Sequence, residues 1–522
     1  MPQTTNLYLK KFFSHIKRHK NYVLLSILLI IHTTGTLIWL SKDNLPPHWD
    51  QLLHLTNTLH YTNLLHEKNL IAFLVGAYTY YPPLLYQTTS IFWLLFGPVS
   101  WAPHLITILL TWGTTVLTYL LGKKLFSSRV GIIAAGVTLF LPITTSFSKD
   151  YMLDIPLTFF FLLATYLLLE NPYISTKKAI FTGAILACGM LTKWTFAAFI
   201  ILPFLLTTVQ SFHSAEKTKA WLKNTSTMAL TVLLLAAPWY ITHLSEFLRD
   251  AQFNAFIVPK AEHDPVPGSA VYFLYYLSVI LNEYLYLPLF TLLVIGVAKL
   301  RRSKQKKATI LSLGTLACTY FLFTLISNKD PRYLFPCIPF FALIIAFAIN
   351  SIPHRGKKLA VLTCISIFLL IQFLGNTIDL NYFSTKIAIA SPTRYIAFFT
   401  PADAPEYFKE KQILDAPILG EITFYNPFSY FSHLPRQENW HIKEIIADWV
   451  NNDNITIDVD NDIFFNKTLL LYEAEQQHKI VKEPSVNTPA TRLICAQSRC
   501  PELPNCTPYL LPNNKTILSC PL

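Results

Sequence analysis

The sequence contains few charged residues. Asp, Glu, Lys and Arg make up only 14% of its 522 residues, whereas 52% are hydrophobic, and the mean hydropathy is +0.38. Soluble domains carry about 25% charged residues. This shortage of charge excludes an ordinary soluble protein, and it predicts a chain that crosses a membrane several times.

The sequence also lacks the basic stripe and the aromatic platform that nucleic-acid-binding proteins present. Its formal net charge is +12, but the Lys and Arg residues gather in short clusters between apolar runs. Such clusters are typical of the cytoplasmic loops of membrane proteins. We therefore predict no nucleic-acid partner.

Eleven apolar runs approach the length of about 20 residues that a helix needs to cross the hydrocarbon core of a bilayer. They lie near 22–40, 103–122, 129–147, 155–170, 179–193, 195–209, 228–244, 283–299, 308–326, 333–351 and 358–376. The fifth and sixth are interrupted only by Thr192-Lys193-Trp194. The runs predict a mainly α-helical, polytopic membrane protein of about eleven transmembrane helices.

Every basic cluster falls on the same side of these eleven spans. The clusters are Lys10, Lys11, Lys17, Arg18 and Lys20; Lys123, Lys124 and Arg129; Lys177 and Lys178; Lys217, Lys219 and Lys223; Arg301 to Lys307; and Arg355, Lys357 and Lys358. Because positive loops stay in the cytoplasm, we expect a cytoplasmic N-terminus, an extracytoplasmic C-terminus and a first span that is retained as an anchor.

The tail that follows the last predicted span differs in composition from the rest. Residues 1–376 are expected to form the membrane domain, and residues 377–522 an extracytoplasmic α/β domain. An amphipathic stretch, Ile442 to Val450, precedes the alternating stretch Ile455 to Val459. About 145 residues suffice for a separate core.

Four cysteines lie close together in this tail: Cys495, Cys500, Cys506 and Cys520. Outside the cytoplasm they predict two disulfides, with three possible pairings. A zinc site is the alternative, although no CxxC spacing occurs.

Two acidic residues mark the expected extracytoplasmic side. Asp50 follows the first span, and Asp154 lies at the start of the fourth. Carboxylates beside lipid are costly unless they face water or a polar partner. Their position at the mouths of apolar helices indicates a site, with helix capping or loop solvation as the alternative.

Several short motifs follow one another between residues 20 and 350, and their order is characteristic. They are Trp49-Asp50, Tyr81-Pro82-Pro83-Leu84, Lys149 with Asp154-Ile155-Pro156-Leu157, Leu191-Thr192-Lys193, Pro238-Trp239-Tyr240 and Arg332-Tyr333-Leu334-Phe335-Pro336. Together they resemble the GT-C type membrane glycosyltransferases, in particular the superfamily of protein O-mannosyltransferases and aminoarabinose transferases.

The resemblance implies transfer of a sugar from a polyprenyl phosphate to an acceptor hydroxyl at the extracytoplasmic face, with inversion at the anomeric carbon. Asp50 matches the first-loop acid of the family and is the expected general base, because a hydroxyl must lose its proton to become a nucleophile. Arg332 and Tyr333 match the stretch that contacts phosphate, and Lys329 is expected to add charge there. Interfacial snorkelling is the alternative for both cations.

Other positions follow from the same resemblance. Asp154 is expected opposite Asp50 as a second catalytic acid, and Lys149 stands where the family often has Arg. His54, one helical turn beyond Asp50, is a candidate to orient it or to touch the donor. Tyr81 replaces a Lys that contacts phosphate in the aminoarabinose branch, which leaves donor and acceptor open.

The partners expected are therefore a polyprenyl-phosphate-linked sugar and a glycolipid, polysaccharide or protein acceptor, in a membrane that we expect to be the bacterial inner membrane. No cofactor is demanded, since no ligand cluster accompanies the two acids, although a divalent metal is compatible with them. Two other classes stay open. One is a transporter or flippase for a lipid or small molecule, which usually shows paired halves and broken helices; the other is an inactive structural or sensory module.

Overall fold

A computed structural model describes most of the N-terminal three-quarters of the chain and separate segments of the remainder. The described residues are 2–213, 218–262, 264–378, 387–390, 421–427, 433–447, 455–459, 467–476, 492–496, 506–512 and 515–521.

Up to residue 377 the secondary structure of these residues is helical. The α-helices are α1 (Pro2–Leu40), α2 (Trp49–His66), α3 (Leu84–Phe96), α4 (Trp101–Leu125), α5 (Ser128–Phe140), α6 (Pro142–Phe147), α7 (Asp154–Leu169), α8 (Thr176–Thr192), α9 (Phe196–His213), α10 (Thr218–Thr242), α11 (Leu244–Phe256), α12 (Val258–Ala261), α13 (Ala270–Val279), α14 (Tyr286–Arg301), α15 (Lys306–Leu325), α16 (Ile338–Asn350) and α17 (Arg355–Thr377). Short π-helices cover Ala72–Gly76 and Ile280–Leu285, and 3₁₀ segments cover Pro172–Ile174 and Pro331–Cys337.

Each of the eleven predicted runs coincides with helix in the structure. Seven helical stretches are long and apolar enough to cross a membrane: Lys20–Leu40, Trp101–Leu125, Thr218–Thr242, Ala270–Arg301, Lys306–Leu325, Pro331–Asn350 and Arg355–Thr377. The other four runs form shorter helices. Run 129–147 is divided at Leu141, whose backbone is extended, because the residue before a proline avoids the helical conformation.

The centre of the helical part lies around α16. Eleven of its thirteen residues are buried, and it packs against α5 and α14. A helix that is apolar on every side needs neighbours on every side. Small residues let α4 and α5 approach closely, since a Cβ on Gly131 would lie 2.4 Å from the carbonyl oxygen of Tyr119.

The segment between α1 and α4 also forms helices. Helices α2 and α3 share a second apolar cluster, which includes Leu59, Tyr86 and Trp93. Leu469 and Tyr472, from the C-terminal part, join the same cluster. These contacts hold α2, and with it Asp50, between the membrane helices and the C-terminal segments.

The described C-terminal segments contain strands and short helices. The strands are β1 (Ile387–Ala390), β2 (Glu421–Tyr425), β3 (Ile455–Asp458), β4 (Arg492–Ala496), β5 (Thr507–Leu510) and β6 (Thr516–Pro521), and the helices are α18 (Ile442–Ala447) and α19 (Lys467–Gln476). Strands β1 and β2 pair antiparallel, and the second sheet has the order β3-β4-β6-β5, with β3 and β4 parallel. The predicted α/β character is thus confirmed for these residues.

One disulfide joins Cys506 to Cys520 in this part. Cys495 is disulfide-bonded as well, while Cys500 lies outside the described residues. The four cysteines of the helical part, Cys188, Cys318, Cys337 and Cys364, are free.

Candidate active site

Asp50 lies in the first turn of α2, immediately after a strained residue. Trp49 has a φ of +48°, in the left-handed region that a bulky side chain rarely adopts, and such outliers concentrate at functional sites. His48 before it is extended. This sharp entry into the helix places the Asp50 carboxylate, 29% exposed, towards the segment that carries Arg332.

Arg332 joins Asp50 to a second carboxylate. Its Nη1 donates to Asp50 Oδ2 at 2.7 Å, while its Nη2 and Nε donate to Asp330 Oδ2 at 2.7 and 2.9 Å. Asp330 also caps the 3₁₀ segment by accepting the backbone N–H of Arg332 at 2.8 Å. The structure therefore unites the predicted base and the predicted phosphate contact, which are 282 residues apart in sequence.

The ionisation of Asp50 follows from these neighbours. Burial would raise its pKa, but the Arg332 guanidinium and the Lys193 ammonium outweigh burial and hold the pKa below its usual range. Asp50 is a carboxylate at neutral pH, and the ion pair with Arg332 makes it a weaker base because it lowers the proton affinity of the carboxylate.

Asp154 and Lys193 form a second ion pair. Lys193 Nζ lies 3.5 Å from Asp154 Oδ1, and both side chains are almost fully buried. Lys193 ends α8 with an extended backbone, and its ammonium also lies 5.4 Å from the centre of the Tyr81 ring. Because Lys193 acts on Asp50 as well, its charge links the two predicted acids.

His54 lies one turn beyond Asp50 and is buried. Its Nδ1 lies 2.9 Å from the Tyr86 hydroxyl, and its ring centre lies 5.5 Å from that of Tyr81. Burial lowers the pKa of His54 to about 3, although Asp50 opposes the shift. The imidazole is therefore neutral, and its hydrogen bond with Tyr86 holds it near enough to Asp50 for the two groups to influence each other electrostatically.

Tyrosines surround the two ion pairs. Tyr80 and Tyr81 pack edge to face at 4.5 Å, and burial raises the pKa of Tyr81, with Asp50 adding to the shift. Tyr333 is half-buried, and its backbone N–H donates to the Asp330 carbonyl at 3.1 Å. The phenols stay neutral and can donate hydrogen bonds.

Two predicted site residues lie elsewhere. Lys149 Nζ donates to the carbonyl of Asn376 at 3.1 Å and to its side-chain oxygen, 4.7 Å from the Trp39 ring centre. Lys329 Nζ donates to three carbonyls at the end of α15: Phe323, Thr324 and Ile326, at 3.1, 2.7 and 2.6 Å. All three of its protons are thereby used in capping a helix, and a role towards phosphate stays an untested prediction.

The sequence interpretation did not assign Lys193 or Asp330 to the site. Lys193 was part of a quoted motif, but its charge alone could equally have belonged to a short loop. Asp330 precedes Pro331-Arg332, and its N-capping position was the available signal. Among the described residues, no group of three or more His, Cys, Asp or Glu side chains is arranged to hold a metal ion.

Chemically, the arrangement supplies three carboxylates (Asp50, Asp154 and Asp330), two cations (Arg332 and Lys193) and a set of neutral donors. A carboxylate can accept a proton from a hydroxyl. The cations can stabilise charge on a leaving group in a site of low dielectric constant.

Comparison with protein families gives one matching model. Residues 81–241 match the family described as dolichyl-phosphate-mannose-protein mannosyltransferase. A protein of unassigned function from Aquifex aeolicus is 25% identical over 326 residues, which are 61% of this chain and 62% of that protein. YkcB of Bacillus subtilis, provisionally named a mannosyltransferase, is 30% identical over 166 residues, which are 31% and 23% of the two chains. The alignments thus span less than two thirds of either relative.

Solved structures extend the likeness to almost the whole chain. ArnT from Cupriavidus metallidurans, in a crystal structure bound to undecaprenyl phosphate, superposes with a TM-score of 0.56 at 13% identity, covering 95% of this chain and 97% of ArnT. The apo form of the same protein gives 0.57, covering 96% and 98%. At this identity the likeness shows a shared fold.

Proposed function

We propose that this chain is a GT-C glycosyltransferase that transfers a sugar from a polyprenyl phosphate to an acceptor hydroxyl at the extracytoplasmic face of the membrane. The family match over residues 81–241 and the fold shared with ArnT support this proposal. The observation that carries this proposal is the Asp50–Arg332 pair. A base for the acceptor and a cation for the phosphate lie within one hydrogen bond of each other.

The pair couples donor binding to activation of the base. When the donor phosphate arrives, the Arg332 guanidinium turns towards its oxygens, for which a planar fork is well suited. Asp50 then loses its strongest partner, its proton affinity rises, and it becomes a better base. Asp330 keeps hold of Arg332 during this exchange and limits where the guanidinium can move.

In the chemical step, Asp50 takes the proton of the acceptor hydroxyl. The hydroxyl oxygen forms a bond to the anomeric carbon while the bond from that carbon to the phosphate oxygen breaks. The electron pair leaves with the polyprenyl phosphate, whose charge Arg332 stabilises. A single displacement of this kind inverts the anomeric configuration.

The neighbouring residues hold this geometry. Lys193 fixes Asp154 and adds positive charge on the side of Asp50 that faces Tyr81. We propose that Asp154 holds the acceptor and orients the loop that carries Asp50. We propose that neutral His54 positions Asp50. Undecaprenyl phosphate in the similarly folded ArnT supports a polyprenyl carrier. The basic loops support a C-terminal domain that lies outside. The relatives from Aquifex aeolicus and Bacillus subtilis support a bacterial protein, which we place in the inner membrane.

Mass spectrometry of cell-envelope glycolipids and glycoproteins tests the proposal. Cells with the native gene, without it, with Asp50→Asn and with Glu246→Gln should be compared at matched expression. Glu246 is a partly exposed carboxylate in the first turn of α11 and serves as the control. We expect one glycan to disappear in both the deletion and Asp50→Asn but to persist in Glu246→Gln. A glycan that survives Asp50→Asn at the native level would rule out Asp50 as the base.

A further inference from the structure

A large cavity lies beside the first two turns of α2. Its volume is about 1020 Å³, at the upper end of the range of roughly 300–1,000 Å³ for pockets that bind small molecules. The end of α1, the start of α4 and the segment 433–444 of the C-terminal part form its walls. It is larger than a single sugar ring requires.

The charge of the lining is acidic. Five carboxylates line the cavity (Asp43, Asp150, Glu438, Glu444 and Glu473), against two lysines, Lys149 and Lys443. The ammonium of Lys149 is already bound by Asn376. Burial raises the pKa of Asp43 and that of Asp150 to about 7, so these two carboxyl groups carry only part of a negative charge at neutral pH. The remaining excess of carboxylates disfavours the phosphate of a lipid-linked donor.

The same lining suits a carbohydrate. Carboxyl groups form strong hydrogen bonds with hydroxyl groups. Asp150 presents one from the turn between α6 and α7, and Glu438 presents one from the C-terminal part. The indole ring of Trp101, 47% exposed, offers a flat surface for the apolar face of a sugar ring. Carboxyl groups that accept hydrogen bonds, combined with an exposed aromatic ring, recognise neutral molecules that carry many hydroxyl groups.

The cavity also reaches the turn that carries the proposed base. His48 and Gln51 line it, and Leu55 lines it one turn further along α2. Asp50 lies between the first two of these residues in sequence, at the N-terminus of the same helix. Asp50 itself does not line the cavity, and its carboxylate is bound by Arg332, but a molecule in the cavity reaches the residues on either side of Asp50 in the first turn of α2.

We propose that this cavity holds the acceptor, and that the acceptor presents an uncharged glycan there. The proposal rests on the transferase function above. It narrows the acceptor to a glycan whose sugar rings carry no phosphate where they bind in the cavity. The donor phosphate and the acceptor glycan are then kept on opposite sides of the first turn of α2, where Asp50 can reach the acceptor hydroxyl.

Direct binding to the full-length protein in lipid nanodiscs tests this inference. The probes are the methyl glycosides of glucose, galactose and mannose, with methyl phosphate and ethylammonium as charged comparisons, and binding of each is followed by saturation-transfer NMR on its carbon-bound protons. At least one glycoside should bind, and methyl phosphate should not. Glu438→Gln and Trp101→Ala should each weaken binding about tenfold, as expected for loss of one charged hydrogen bond or one stacking contact. Glu67→Gln, at the other end of α2, should have no effect.

Three results separate this inference from the transferase proposal. Glycoside binding that depends on Glu438 and Trp101 in a protein without transferase activity would support the cavity and overturn the proposed function. Transfer that requires Asp50, with glycoside binding absent or insensitive to both substitutions, would overturn the cavity assignment alone. Preference for ethylammonium over every glycoside, lost in Glu438→Gln, would also overturn it by identifying a cation site.

Discussion

At the scale of single residues, Arg332 is the group that connects the chemistry to the fold. It contacts Asp50 and Asp330 at the same time. Arg332→Gln should lower transfer about 10²- to 10³-fold, because removing one partner of a close charge pair typically costs 2–5 kcal/mol. Arg332→Lys should lose less, since it keeps the charge but not the fork. Initial rates at several donor concentrations check this, and equal rates for both variants would contradict it.

Lys193 provides a second prediction, on stability. In Lys193→Met the Asp154 carboxylate stays buried without its cation, which should destabilise the protein by about 3–5 kcal/mol. The double variant Lys193→Met with Asp154→Leu removes both charges and should recover most of that loss. Thermal unfolding in detergent compares the three proteins. A single variant as stable as the wild type would show that the pair has no structural role.

Part of the site could be predicted from single residues and part could not. The motifs pointed to Asp50 and Arg332, which the fold unites. Lys149 and Lys329 also lie beside such motifs, but their ammonium groups bind oxygen atoms at the ends of α17 and α15. Packing between helices that are distant in sequence decides whether a lysine binds a carbonyl or a carboxylate. The local sequence therefore cannot predict it.

At the scale of elements, the contact between α4 and α5 depends on small residues. Gly131→Ala would place a Cβ 2.4 Å from the Tyr119 carbonyl oxygen, whereas Gly136→Ala on the same helix would meet only Leu28 Cδ1, at 3.6 Å. Overpacking of this kind costs about 1–3 kcal/mol. Gly131→Ala should therefore melt at a lower temperature than Gly136→Ala. Equal melting temperatures would mean that the helices can separate without cost.

The presence of helices was more predictable than their boundaries, since run 228–244 belongs to α10, which begins at Thr218. Apolar length located all eleven helical runs, and their extent was modified by local chemistry such as Pro142 in run 129–147. The pairing of the C-terminal strands was beyond the sequence, because the order β3-β4-β6-β5 depends on contacts between segments far apart in the chain.

At the scale of the whole molecule, Asp43 connects the end of α1 to the C-terminal part. Its Oδ1 accepts the backbone N–H of Arg436 at 2.8 Å. Burial raises the pKa of Asp43 to about 7, although the hydrogen bond from Arg436 opposes the shift. The folded state therefore holds a proton that the unfolded state has released, and stability falls as the pH rises from about 4 to 7.

Asp43→Asn should remove this contribution to the pH dependence. Its melting temperature should fall less than that of the wild type between pH 5 and pH 7, while Glu67→Gln should follow the wild type. Parallel curves for wild type and Asp43→Asn would show that Asp43 titrates in its ordinary range. Burial lowers the pKa of Lys149 to about 7. Above pH 7 the folded state therefore binds fewer protons at this lysine than the unfolded state, so Lys149 makes the stability rise with pH there.

The central claim is that Asp50 removes the acceptor proton. The most direct measurement is the single-turnover rate of sugar transfer by purified wild type and Asp50→Asn at saturating donor, with the sugar lipid and acceptor that envelope mass spectrometry identifies. We predict that Asp50→Asn slows the chemical step by about 10²- to 10⁴-fold, while the donor binds at least as tightly because Arg332 is released from a charged partner. A transfer rate within about threefold of the wild type would contradict the account, since general-base catalysis cannot survive loss of the base.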